Sequence, residues 1–228
     1  MTQPITRHFL AMTLVLTIIS TALHSQETAA QYFNRVSERY ALINDYSANL
    51  TITKGDVVQK AVVFYKDPNL LRLDFEVPNG MVIAIDGKTL QVWVPDYNAS
   101  FSQSLRANPQ ARLTSFAGSS GLELIKRYYT ISYDPTPDLV PLNQNSSVRV
   151  TKIKANWKSN NEGFRRLELS IDTNLTIRRI RGITTTNEEI VFDFANIVIN
   201  RGIPTARFQY KSPPTGNTIE NFLFDPEN

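Results

Sequence analysis

The sequence predicts a mainly β, α+β protein: a strongly curved antiparallel sheet of about 9–11 strands with short helices placed over its mouth. Three observations predict it. Short stretches along most of the chain alternate apolar and polar side chains at period two, turn-forming residues separate them, and a helical period of three to four appears only near the start and near the middle.

The chain opens with Arg7 and an apolar run, Phe9 to Leu23, which is short for a bilayer-spanning helix and has the form of a secretory leader. Small residues fit cleavage after Ala22 or after Ser25, so residues 1–25 are expected to be removed and residues 26–228 to form one exported domain. No glycine-serine linker or fixed-period repeat argues for a second unit. The 24 Lys and Arg face 21 Asp and Glu; losing Arg7 leaves 23 against 21, a net charge of +2, too near neutral to suggest nucleic acid.

The chain has no cysteine, which excludes disulfides, a zinc thiolate site, a thiol nucleophile and a lipidated cysteine. Its two histidines, His8 and His24, both fall in the leader. The remaining body offers no imidazole to a catalytic triad or a metal, and neither a metal nor a cofactor is expected.

Phe33, Val36, Tyr40 and Ile43 recur at spacings of three and four with Arg35, Glu38 and Arg39 between them, which predicts an amphipathic helix over about 27–43. Strands follow in "NLTIT", "KAVVFYK", Leu71 to Val77, "MVIAI" and "LQVWV". Between them "TKGD", "KDPN", "VPNG" and "DGK" supply the chemistry of tight reversals, so sequential strands pair as a meander. The pattern breaks at "ANPQARLTSFAGSSGLELIKRYY". Leu113, Phe116 and Ala117 make one short apolar face, and Leu122, Ile125 and Tyr128 or Tyr129 another, which predicts two short helices parted at Gly118 to Gly121, with Ser120 and Glu123 as a capping box. Strands resume in "VRVTKIKANW", "GFRRLELSID", "LTIRRIRGITT" and "EIVFDFANIVI".

A sheet of this size has roughly 25 inward apolar positions, whereas the helix faces offer about nine large apolar side chains. The surplus is met either by a barrel filled with its own side chains or by a cavity that an apolar ligand fills, and pattern leaves both open.

The stretch "YKDPNLLRLDFEVPNGMVIAIDGKTLQVWVPDYN", Tyr65 to Asn98, narrows the choice through Pro68, Asn69 and Leu70, then Phe75, Pro78, Ile83, Asp86, Gly87, Lys88, Thr89, Leu90, Trp93 and Pro95. In order and spacing these residues resemble the periplasmic lipoprotein carrier family, the LolA-like proteins, and "FDFANIVINRGIPTARFQY" is similar to that family's closing strands. The resemblance implies an incomplete curved barrel, lidded by helices, whose apolar cavity shields the acyl chains of lipoproteins on their way from inner to outer membrane. It implies a periplasmic monomer that does no chemistry. Its partners would be acylated lipoprotein cargo, an inner-membrane lipoprotein-releasing transporter and an outer-membrane acceptor.

Parity places Leu71, Leu73, Phe75 and Val77 opposite Arg72, Asp74 and Glu76. The first four, with Leu50, Ile52, Val92 and Val94, are the expected cavity wall, and Phe33, Val36, Tyr40, Leu113, Phe116, Leu122 and Ile125 the underside of the lid. Leu71 holds the position where the family carries an aromatic at the cavity mouth. Asp67 stands where the family often has a basic latch to the lid; it reads either as a solvated turn residue or as a latch to a cation such as Arg106, Arg112 or Lys126.

Other signals have plainer readings beside the functional ones. Asp74 and Glu76 fit a glycosidase pair or ordinary solvent-facing alternation. "AGSSGLE" fits an anion cradle or a simple helix cap. "RRIR" fits a basic rim or a solvated strand edge. Acceptor patterns for N-glycosylation begin at Asn49, Asn98, Asn145 and Asn174 and matter only in a glycosylating host. Alternative functions are a lipid- or glycolipid-binding sensor or carrier on the same scaffold, and a hydrolase built on carboxylates.

Overall fold

The structure is a computed structural model that describes residues 26–105, 118–159 and 163–223. Residues 1–25, the expected leader, lie outside the described residues, as do Arg106, Arg112 and the expected helix face of Leu113, Phe116 and Ala117. The first helix, α1 (Ala29–Ala41), starts at a capping box: Thr28 Oγ1 accepts from Gln31 N–H at 3.2 Å, and Gln31 Oε1 accepts from Thr28 N–H at 2.9 Å. Its apolar stripe buries Tyr32, Phe33 and Val36.

An antiparallel meander follows: β1 (Asp45–Lys54), β2 (Val57–Lys66), β3 (Leu70–Val77), β4 (Val82–Asp86), β5 (Thr89–Val94) and β6 (Ala99–Ser104). The hairpin between β1 and β2 closes through Gly55 and Asp56, with Lys54 paired to Val57. Gly55 takes φ +57°, a conformation that tight hairpin turns demand and glycine adopts without steric cost.

The second helix, α2 (Ser119–Tyr128), leads directly into β7 (Tyr129–Tyr133), and then come β8 (Val140–Pro141), β9 (Arg149–Trp157), β10 (Phe164–Asp172), β11 (Ile177–Thr184) and β12 (Glu189–Ile199). Gly118, not Ser120, is the N-cap of α2, and no side chain caps it; Ser120 lies inside the helix, so the expected capping box does not form there. A last strand, β13 (Asn217–Glu220), lies parallel to β6.

Together these make one open, curled sheet of 13 strands in the order β13-β6-β5-β4-β3-β2-β1-β12-β11-β10-β9-β7, with β8 paired to β9. The long-range pairing of β1 with β12 joins the two meanders. The strand count exceeds the expected 9–11 because β8 and β13 are too short, and β6 and β7 too polar, for alternation to mark them.

Residues directly opposite on antiparallel strands share a face, so the pairings fix which side chains line the inside. Leu73, Ile83, Val92 and Phe101 form one row across β3 to β6. Ile52, Phe192, Ile180, Leu169 and Ile153 form another across β1, β12, β11, β10 and β9. Helices α1 and α2 cover the β9–β11 end, where Phe33, Val36, Leu122 and Ile125 pack on Ile153, Leu169 and Ile171. A second cluster over β1–β3 gathers Ile43, Tyr46, Leu50, Val63, Tyr65, Leu73 and Phe75, and Tyr40 packs against both.

The outer face has its own cover. Beyond β12 the chain returns across β3 and β4, where a 3-10 turn, Thr205–Phe208, buries Phe208 almost completely, and Tyr210 packs on Val82, Ala84 and Trp93. Strand β4 is thereby covered on both sides, with Ile83 and Ile85 inward and Val82 and Ala84 outward. That is why "MVIAI" is apolar throughout instead of alternating.

Candidate functional site

The inner face holds an apolar recess of about 40 Å³ between the C-terminal end of α1 and strands β1, β11 and β12. Tyr40, Tyr46, Ala48, Ile177, Ile180, Phe194, Ile197 and Ile199 are among its walls. Its origin is a β-bulge. Ser47 pairs with Val198 and Asn49 with Ala195, so Asn196 and Ile197 oppose Ala48 alone, and Asn196 takes φ +51°. The bulge turns Ile197 to the same wall as Phe194 and Ile199, and the short side chain of Ala48 leaves the space in front of it.

Burial governs the phenols of this region. Tyr40 is pushed up to about 12, chiefly by burial, although its oxygen accepts a hydrogen bond from Ile177 N–H at 3.0 Å. Burial also raises Tyr46, and it raises Tyr65 with help from the neighbouring Asp67 carboxylate. The rings of Tyr46 and Tyr65 lie 5.3 Å apart.

Tyr40 aside, the expected site residues that are described fall into three groups. Phe33, Val36, Leu122 and Ile125 meet in the core under the helices. Leu50, Leu73 and Phe75 lie in the second cluster, with Ile52 and Leu71 half-buried against it. Val92 and Val94 are half-buried on β5, and Val77, at the end of β3 beside Lys60, is 45% exposed. Tyr40 is the one expected residue that lines the recess, among the described residues.

Alternation along "FDFANIVI" did not mark the β12 wall because the bulge at Asn196 shifts parity between Phe194 and Ile197. An asparagine inside an apolar strand was the available signal.

Asp67 is exposed and accepts a hydrogen bond from the Tyr65 hydroxyl at 3.2 Å. Lys126, one of its expected cationic partners, pairs instead with Glu123 at 2.8 Å. Asp74 accepts from Arg72 at 2.8 Å and from Arg207 at 2.7 Å, which clamps the returning C-terminal segment to the outer face, and Glu76 is exposed. The "RRIR" segment is not a strand edge: β11 pairs on both sides, Arg179 is bound to Asp193, and Arg181 bridges Glu168 and Glu189.

Beside the recess lies a polar depression of about 350 Å³ that shares Thr176, Ile197 and Ile199 with it and carries Arg39, Asp172, Asn174 and Arg178. No described helix is long and apolar enough to cross a membrane.

A curled antiparallel sheet with helices over an apolar inner face is a fold found in families of carriers that bind lipid or lipoprotein. The chain belongs to one such family: the model of the outer membrane lipoprotein carrier protein LolA matches residues 49–211. Its members are carriers and binding proteins, not enzymes, and are typically periplasmic or extracytoplasmic. Among solved structures, an uncharacterized conserved protein from Thermus thermophilus has a similar fold, with TM-score 0.55 and 12% identity over 84% of this chain and 98% of that one. The LolA superfamily protein NE2245 from Nitrosomonas europaea aligns at TM-score 0.41 and 11% identity, covering 81% and 99% of the two chains. The lipoprotein LppX from Mycobacterium tuberculosis aligns at 0.48 and 10%, covering 78% and 98%. No curated protein sequence matches the chain significantly.

Proposed function

We propose that residues 26–228, freed of the leader, act in the periplasm as a carrier that takes the acyl chains of lipoproteins against the apolar inner face and ferries them from inner to outer membrane. An inner-membrane lipoprotein-releasing transporter would load it, and an outer-membrane acceptor would unload it. The observation that carries this reading is the continuous inner lining from Leu73 and Ile83 through Leu50 to Phe192 and Phe194, much of it half-buried, meeting a recess under α1.

A recess of 40 Å³ holds about three waters, far less than an acyl chain, so cargo enters by displacing cover. The energies permit such an exchange. A chain of about 16 carbons gains on the order of 12 kcal/mol on leaving water, at about 0.8 kcal/mol per methylene. Uncovering Tyr32, Phe33, Val36, Leu122 and Ile125 costs on the order of 10 kcal/mol, at about 2 kcal/mol per side chain. Two terms this close give a carrier that both holds and releases. Purification from the envelope followed by mass spectrometry tests the reading: acylated protein should copurify in near-stoichiometric amount, and a preparation free of acyl groups that also fails to bind a palmitoylated peptide would overturn it.

A further inference from the structure

The polar depression beside the recess has a charge pattern that the proposed carriage of neutral acyl chains does not use. Arg39 leaves the last turn of α1, and Arg178 stands at the irregularity where β11 pairs Ile171 with Ile177 but Ser170 with Arg179. Both face the depression that shares Ile197 and Ile199 with the apolar recess.

Asp172, the nearby acid, is already engaged. Its Oδ1 accepts from the N–H groups of Asn174 at 2.9 Å and Thr176 at 3.0 Å, which hold the turn between β10 and β11. Arg178 approaches Asp172 Oδ2 only to 3.8 Å, beyond hydrogen-bond range, and its Nε is buried with no acceptor among the described residues. A guanidinium offers several N–H donors in a planar fork, and a ligand carboxylate can meet two of them at once. Among the described residues that line the depression, two guanidiniums against one carboxylate leave a net charge of +1 beside an apolar slot.

We infer that this depression binds the headgroup of a single-chain amphiphile bearing a carboxylate, a long-chain fatty acid, with the carboxylate between Arg39 and Arg178 and the start of the tail between Tyr40, Ile197 and Ile199. The inference rests on the recess admitting acyl chains. Depth supports it: the apolar and polar walls adjoin, so one molecule reaches both, whereas an isolated anion leaves the recess unused.

The test displaces a neutral fluorescent acyl probe from the delipidated protein with palmitate, with its uncharged methyl ester and with lysophosphatidylcholine, at a pH where the carboxyl is ionised. Palmitate should bind about tenfold more tightly than the ester, and the double variant Arg39→Gln, Arg178→Gln should erase that preference while binding the ester as the wild type does. Equal binding of acid and ester by the wild type would overturn this inference and leave the carrier reading intact, as would tighter binding of the zwitterionic lysolipid than of palmitate. If neither the probe nor any competitor binds, the carrier reading itself fails. Should the double variant not fold, the wild-type comparison still decides.

Discussion

Tyr65 occupies the space where Gly118 would carry a side chain: a Cβ built at Gly118 overlaps the Tyr65 hydroxyl. The phenol that Asp67 holds by hydrogen bond is therefore the surface on which α2 begins. Among the described residues, the turn at Asp67 reaches the helical cover through an aromatic ring.

Replacing Gly118 by alanine should force α2 or Tyr65 to move. Gly118 has φ −125°, which any residue adopts, so the effect is steric and not conformational. Overpacking of this kind costs about 1–3 kcal/mol. A chemical denaturation curve should show that loss, and a variant as stable as wild type would mean that α2 does not sit on Tyr65.

Asp67→Ala should act more weakly, since it removes one part-exposed hydrogen bond worth about 0.5–1.5 kcal/mol. Its stability loss should be absent in a Tyr65→Phe background, which lacks the hydroxyl. Full additivity of the two substitutions would contradict the pairing.

Stability should also respond to high pH through the buried phenols. Tyr40 titrates near 10 when unfolded and at about 12 in the fold, so its neutral form is favoured by folding. That contribution is complete below pH 10 and is lost as pH rises through 12, and Tyr46 and Tyr65 shift in the same direction. Thermal melts should therefore be level from neutrality to about pH 9.5 and fall steeply above pH 10. Tyr40→Phe should reduce the alkaline slope while lowering stability at neutral pH by about 1–3 kcal/mol, because Ile177 N–H loses its acceptor. An unchanged slope in that variant would show that the Tyr40 hydroxyl is not shielded from water in the fold.

Asp74→Asn separates a clamp from a catalytic carboxylate. Losing its pairs with Arg72 and Arg207 should loosen residues 205–210 on the outer face and expose them to limited proteolysis, while acyl binding persists. Loss of binding with the C-terminal segment still protected would contradict the assignment of Asp74 to the outer face.

Much of the fold was legible because period-two alternation records a sheet with one covered face, as in Leu71 to Phe75 and Val63 to Tyr65. It was least legible where that premise fails. "MVIAI" lies under cover on both sides, β13 is exposed along its length, and Ser120 falls inside α2 because the helix begins one residue beyond Gly118. The candidate site was legible by wall and not by position. Leu50, Leu73 and Phe75 line the inner face as parity requires, but the recess is made by a bulge at Asn196, and pairing register is a tertiary fact that alternation does not encode.

In the proposed carrier, acyl chains lodge on the inner face beneath α1, entering where Ala48 meets the β12 bulge. Hydrogen–deuterium exchange, with and without a palmitoylated peptide, maps that contact most directly, and Ala48→Val serves as a blocked control. Binding should be saturable and should change exchange in α1 and in β12 around Asn196, and Ala48→Val should weaken it at unchanged fold. Binding that leaves α1 and β12 unaltered, or that alters only the outer face around residues 205–210, would contradict that placement.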